Sequence, residues 1–151
     1  MSDIENFKLL FSFKKSKSWV PHNCKPIILL RFLGTTPDSS SIFQLLKSAC
    51  SQLSYLFGVS LENTPDDLSQ LINHFKVLLK HATAERPLFI YFDSLDQLSS
   101  MNSAHSLSWL PISLPKYVKC CVSTLPNYYG IFETLENMIE IPENFIHVNN
   151  L

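Results

Sequence analysis

From Pro26 to Leu33 the chain reads Pro-Ile-Ile-Leu-Leu-Arg-Phe-Leu, an apolar run broken by one arginine and stopped by Gly34-Thr-Thr-Pro-Asp-Ser-Ser. A run that does not alternate with polar residues predicts a strand covered on both faces, as in a parallel sheet. Beyond it, Ile42, Leu46, Ala49, Leu53 and Leu56 recur at helical spacing, and Gly58 sits where a helix usually stops. A second helix is expected to start near Thr64-Pro-Asp-Asp67, with a capping hydroxyl, a proline suited to the first turn and carboxylates that complement the helix dipole. Its buried stripe would be Leu68, Leu71, Ile72, Phe75, Leu78, Leu79 and Ala82.

The next apolar run, Leu88-Phe-Ile-Tyr-Phe92, ends abruptly in Asp93-Ser-Leu-Asp-Gln97. A third strand is predicted over Tyr117-Val-Lys-Cys-Cys-Val122, after the proline-bounded segment from Trp109 to Pro115 and before Ser123-Thr-Leu-Pro126. A helix from Tyr128 to Ile139 would turn Ile131, Leu135 and Met138 inward, and Phe145-Ile-His-Val148 reads as a short last strand. Strands separated by helical segments predict an α/β domain, a mainly parallel sheet with helices on both faces. Phe7 to Phe13 forms a further possible strand, whose apolar residues Phe7, Leu9, Leu10, Phe11 and Phe13 would suit the cover of an open sheet edge.

The chain has 151 residues, 46% of them hydrophobic, which suits one domain with one core. Lys and Arg total 12 against 13 Asp and Glu, so no global field favours nucleic acid or an anionic membrane. No apolar run approaches the roughly 20 residues that span a bilayer. The N-terminal stretch lacks a basic leader and a small-residue cleavage site, and a cytoplasmic location is expected. Cys24, Cys50, Cys120 and Cys121 have neither a zinc spacing nor the density of a disulfide framework, and read as buried thiols. The histidines are scattered, and His74 and His81, seven apart on one predicted helix, read as surface residues.

In open α/β sheets ligands bind beyond the carboxyl ends of the strands. Three polar clusters end apolar strands here: Thr35 with Thr36, Asp93 through Asp96, and Ser123 with Thr124. An aspartate at the end of a buried strand can hold magnesium against nucleotide phosphates, and Asp96 can orient a water or complete the metal shell. The competing reading is that Asp93 caps the following turn and Asp96 is solvated. The phosphate side of such a site needs a glycine-rich loop followed by Lys and Ser or Thr. The sequence has only Gly34, Gly58 and Gly130, and none precedes such a pair. Lys17-Ser18 imitates it, with Phe11 and Ser16 at the glycine positions, so Lys14, Lys15 and Lys17 read as a solvated basic stretch.

Several segments in order resemble the NACHT NTPases of the STAND class, a branch of the P-loop NTPases, and especially the animal, nephrocystin-like subgroup in which the NTPase precedes WD or other repeats. These are Ile28 to Ser41, Ala49 to Leu53, Pro87 to Leu98, Leu107 to Pro111, Val118 to Pro126 and Pro142 to Ile146. The resemblance covers residues 26–151 and leaves 1–25 unassigned. It implies an incomplete P-loop NTPase-like three-layer sandwich, with a Walker B strand ending in Asp93 as the magnesium-side acid and Asp96 as the second, catalytic acid. It further implies that Ser123 and Thr124 end a sensor strand facing the nucleotide, with magnesium and ATP or ADP as cofactors. The Walker A loop, with its strand and helix, has no counterpart in this sequence, and the missing strand belongs in the middle of the sheet. Gln97 stands where many members carry a further acid, and no arginine follows Val122.

Two functions follow as expectations. One is a piece of a nucleotide-controlled signalling switch, inactive alone and without bound nucleotide. The other is a non-catalytic interaction module or regulatory isoform that associates with protein partners or with itself.

Overall fold

The computed structural model describes residues 7–11 and 24–148. The basic stretch Lys14, Lys15 and Lys17, together with Phe13 and His22, lies outside the described residues. Five strands form one sheet: β1 (Phe7–Phe11), β2 (Ile27–Phe32), β3 (Leu88–Asp93), β4 (Val118–Thr124) and β5 (Phe145–Val148). Three α-helices accompany them: α1 (Ile42–Phe57), α2 (Leu68–Leu78) and α3 (Ile131–Met138). The expected α/β class is observed. The strand order is β2-β3-β4-β1-β5, with β2, β3 and β4 parallel. β1 is antiparallel to both β4 and β5, so β5 runs in the same direction as β2, β3 and β4.

Side chains on β2 alternate sharply. Ile27 and Leu29 are buried, whereas Ile28, Leu30 and Phe32 are 56%, 44% and 56% exposed. The expectation that this apolar run is covered on both faces is therefore corrected. α1 covers the Leu29 side: Arg31, on that side of the pleat, donates to Ser48 Oγ of α1 at 2.9 Å, and burial lowers its guanidinium pKa. In the parallel register Leu29 neighbours Ile90, and Ile90 neighbours Cys120, so the Cys120 and Val122 side chains share this face. α3 reaches the same face, where Leu135 and Met138 line a cavity with Cys120 and Val122. α2 packs on α1. Among the described residues, all three α-helices thus lie over one face of the sheet.

The helix ends follow from local chemistry. Ser41 Oγ accepts from Gln44 N–H to open α1, and Gly58 closes it with φ +73. α2 starts later than expected. Thr64 closes a 3-10 turn over Leu61–Asn63, and Asp67, not Thr64, is the cap, accepting from Gln70 N–H at 3.0 Å. α3 also starts late, at Ile131, because Tyr129 and Gly130 both have positive φ, which a right-handed helix cannot include. The predicted stripe of α2 is observed, with Leu71, Phe75, Leu78, Leu79 and Ala82 buried. His81 is exposed as expected, but His74 is only partly exposed, and its Nε2 is buried without a hydrogen-bond partner. Cys50 and Cys121 are buried and Cys24 and Cys120 half-buried, all four as free thiols.

Candidate functional site

The ends of β3 and β4 are adjacent, and all four predicted site residues meet there. Strand β3 buries Leu88, Ile90 and Phe92 and leaves Asp93 half-buried at its end. The chain then turns sharply. Ser94 adopts φ 66 and ψ 60, a left-handed conformation unusual for a residue with a side chain, and a 3-10 turn over Leu95–Gln97 follows. β4 runs further than the sequence predicts, to Thr124, because its last residues pair with β1, Ser123 opposite Leu9 and Thr124 opposite Lys8. Ser123 and Thr124 are therefore strand residues, both buried.

Ser123 joins the two strand ends. Its Oγ donates to Asp93 Oδ1 at 2.5 Å and accepts from Ser94 N–H at 2.8 Å. A hydroxyl bonded to a carboxylate at this distance is a strong, charge-assisted contact. It fixes one carboxylate oxygen of Asp93 and satisfies the N–H of the left-handed Ser94. Asp96 lies deeper, only 4% exposed, so it is not the solvated residue of the competing reading. Its Oδ1 accepts from Leu125 N–H at 3.0 Å and its Oδ2 from Gln97 Nε2 at 2.7 Å. Both oxygens are engaged within the protein, as a buried carboxylate requires. Thr124 Oγ1 donates to the Leu125 carbonyl at 3.3 Å.

The third cluster serves its own loop. Thr36 N–H donates to Ser39 Oγ, whose hydroxyl donates back to the Thr36 carbonyl, both at 2.8 Å, forming a turn ahead of α1. Ser99 N–H donates to the Ser40 carbonyl at 2.9 Å, which ties this turn to the segment after β3. Gly34 touches that segment too. A Cβ at Gly34 would stand 2.5 Å from Gln97 Cβ, and its φ is +75. Only glycine allows this approach.

As a metal site, the arrangement suits Asp93 better than Asp96. Among the described residues, the second carboxylate oxygen of Asp93 has no hydrogen-bond partner, and at a strand end it could serve a magnesium ion that retains most of its water. Among the described residues no group of three His, Cys, Asp or Glu comes together as a closed metal cage. Cys121, on the same face as Asp93, has its thiol pushed up to about 11 by burial and by the Asp93 carboxylate. A contact not foreseen from the sequence lies between His105 and Tyr129, whose rings stack with centroids 4.4 Å apart, while His105 Nε2 lies 2.7 Å from the Leu98 carbonyl. Neither residue belongs to an apolar stripe or a motif, so no spacing signals the pair.

No protein-family model matches the chain, and no solved structure matches it. Among known proteins it is similar to human NACHT and WD repeat domain-containing protein 2, with 37% identity over 139 residues, 89% of this chain and 8% of that protein. It is also similar to human NACHT domain- and WD repeat-containing protein 1, with 30% identity over 131 residues, 84% of this chain and 8% of that protein. A weaker similarity, 29% over 119 residues, extends to mouse telomerase protein component 1, covering 76% of this chain and 4% of that protein. The chain thus spans less than a tenth of the length of the curated relatives it matches. By these relatives the chain belongs to the NACHT and WD repeat family, corresponding to a segment of its members.

Proposed function

We propose that this chain carries the acidic, metal-side half of a nucleotide-controlled NACHT switch of the STAND class and that alone it neither holds nor hydrolyses ATP or ADP. The observation that carries the reading is Asp93, presented at the end of a rigid strand and held through one oxygen by Ser123. In this reading β3 is the Walker B strand, and Asp93 would hold magnesium through the oxygen that Ser123 does not engage, partly by way of water. A bound ion there supplies charge stabilisation for nucleotide phosphates. Ser123 orients Asp93, and Thr124 stands beside it at the end of the sensor strand. Asp96, the second acid, acts by fixing the turn after β3 to the loop after β4. The phosphates themselves need a cradle of backbone N–H groups, and the three glycines of the sequence supply none. Positioning is most of phosphoryl-transfer catalysis, so turnover is lost with the cradle.

Calorimetry with magnesium ATP and magnesium ADP on the intact chain and on Asp93→Ala tests this. The expected result is no binding in either protein, with circular dichroism showing both folded. Binding by the parent chain that Asp93→Ala abolishes would overturn it. A second reading, a non-catalytic cytoplasmic module that works by binding other proteins, is favoured by the exposed apolar side of β2.

A further inference from the structure

Two hollows adjoin on the helical face of the sheet, on the opposite side of the pleat from Asp93. One has a volume of about 420 Å³ and lies where α3 and residues 110–114 meet the Cys120 and Val122 side of β4. It is apolar except for Glu140 and Asn144. The other, also about 420 Å³, is lined by Lys76, Lys80 and Ser113 among apolar neighbours. Leu110, Pro111, Ile112 and Met138 belong to both walls, so the hollows meet along that ridge. Each volume falls within the range of roughly 300–1,000 Å³ typical of small-molecule sites.

The two lysines are placed for an anion. Lys76 is half-buried in the last turn of α2, and Lys80 is exposed one turn further on, in the 3-10 turn Leu79–His81. The negative C-terminal end of α2 favours one cation there. A second cation four residues along repels the first. Among the described residues neither lysine is in an ion pair. An anion between them removes the repulsion, and Ser113 adds a hydroxyl donor to the same wall. Glu140 sets the direction. It lines the apolar hollow and not the basic one, so it repels an anionic group from that end while the lysines attract it to theirs.

We propose that the two hollows form one binding site for a single-chain amphiphile with an anionic head, a carboxylate or a phosphate. The head sits between Lys76 and Lys80, and the tail crosses the ridge at Ile112 to fill the cavity over Cys120 and Val122. The pairing of the hollows selects this class. A wholly apolar molecule leaves the lysines repelling each other, and a small inorganic anion leaves the aliphatic walls in water. A peptide would bring backbone N–H and C=O groups into a cavity that offers few partners for them. Burial of the tail supplies most of the affinity, and the lysines fix the orientation. The site lies on the face that Asp93 does not share, so it does not depend on the nucleotide reading.

The test titrates the intact chain by calorimetry with decanoate, decyl phosphate and decanol, each kept below micelle formation. Both anions are expected to bind, and decanol at least about tenfold more weakly. The tighter of the two anions identifies the head as carboxylate or phosphate. Lys76→Gln combined with Lys80→Gln should bring both anions down to the level of decanol and leave decanol unchanged, which a general loss of structure would not do. Ile112→Asp, at an exposed position on the ridge, should weaken both anions by at least about tenfold. Nuclear Overhauser contacts should run from the tail to the methyl groups of Leu135 and Met138. Absence of binding overturns the proposal, as do equal affinities for decanol and the anions, indifference to the lysine replacements, or tail contacts with Ile28 and Leu30 instead. Binding to phosphatidylserine vesicles without binding of either monomeric anion would assign the lysines to a membrane surface and overturn it too.

Discussion

The Leu125 amide donates to the buried carboxylate of Asp96 at 3.0 Å, which couples the turn after β3 to the loop after β4 across 29 residues of sequence. This bond, with Gln97 Nε2 on the other oxygen, keeps an acid at 4% exposure satisfied. Asp96→Ala leaves the Leu125 N–H without its partner and is expected to lower stability by about 1–3 kcal/mol in chemical denaturation. Asp96→Asn keeps an acceptor for Leu125 and should cost clearly less. Equal losses in the two variants would mean that the charge, not the bond, matters.

Ser123 serves two partners, and its loss should be felt at both. Ser123→Ala is expected to destabilise by about 1–3 kcal/mol, since Ser94 N–H and Asp93 Oδ1 each lose a contact. Ser94→Gly should do the opposite, because glycine adopts φ 66 without the steric cost that serine carries there. Denaturation midpoints of the two variants measured side by side check the pair of signs.

Gly34 and Gly58 have nearly the same φ but different surroundings. Gly58→Ala meets open space and should cost only the strain of a left-handed alanine, about 1–2 kcal/mol. Gly34→Ala adds a clash with Gln97 Cβ and should cost more. In a double-mutant cycle, Gln97→Gly should recover the excess but not the strain. An alanine at Gly34 no more harmful than one at Gly58 would show that the turn after β3 yields easily.

Trp109 is buried against Phe92, with ring centroids 5.8 Å apart, and its indole N–H donates to the Ala104 carbonyl at 2.9 Å. Trp109→Ala should cost about 3–5 kcal/mol, the range for deleting a large buried aromatic, and Trp109→Phe less. Thermal melts of the two variants rank them.

Burial pushes the Cys50 thiol up to about 12. A group whose pKa is raised in the folded state stabilises fully below its unfolded value and loses that contribution as pH rises through its folded value. The intact chain should therefore lose stability between about pH 9 and 12, at up to about 1.4 kcal/mol per pH unit for this thiol. Urea midpoints at pH 7.5 and 10.5 should fall less for Cys50→Ala than for the parent. Cys50 should also resist a thiol reagent at pH 8 until the protein unfolds.

The acidic strand end was legible because both halves of its signal are local: an apolar run that stops, and the aspartate that stops it. The helices were legible in their buried stripes and less so in their starts. Thr64 and Asp67 are both good caps three residues apart, and only the 3-10 turn that Thr64 closes decides between them. The roles of Asp96 and Gly34 could not be read, since their partners, Leu125 and Gln97, sit in other loops brought near by the sheet. The bare side of β2 was hidden for a related reason. Ile28, Leu30 and Phe32 are as apolar as the buried Ile27 and Leu29, and periodicity cannot tell a covered face from an exposed one. The Phe7–Phe11 strand was visible as an apolar pattern, but its antiparallel place between β4 and β5 is a matter of distant pairing.

That pairing has a kinetic meaning. Among the described strands β5 pairs with β1 alone, and Phe7 pairs with Val148, so β5 joins the sheet only when segments about 140 residues apart have met. Contacts of such separation form after the local ones, because the loop-closure cost precedes any reward. The parallel strands β2, β3 and β4 then assemble as an early unit, and β1 with β5 closes afterwards as a late one. Reversed, the same order makes this side of the sheet the first to open, ahead of the strands that carry Asp93 and Ser123.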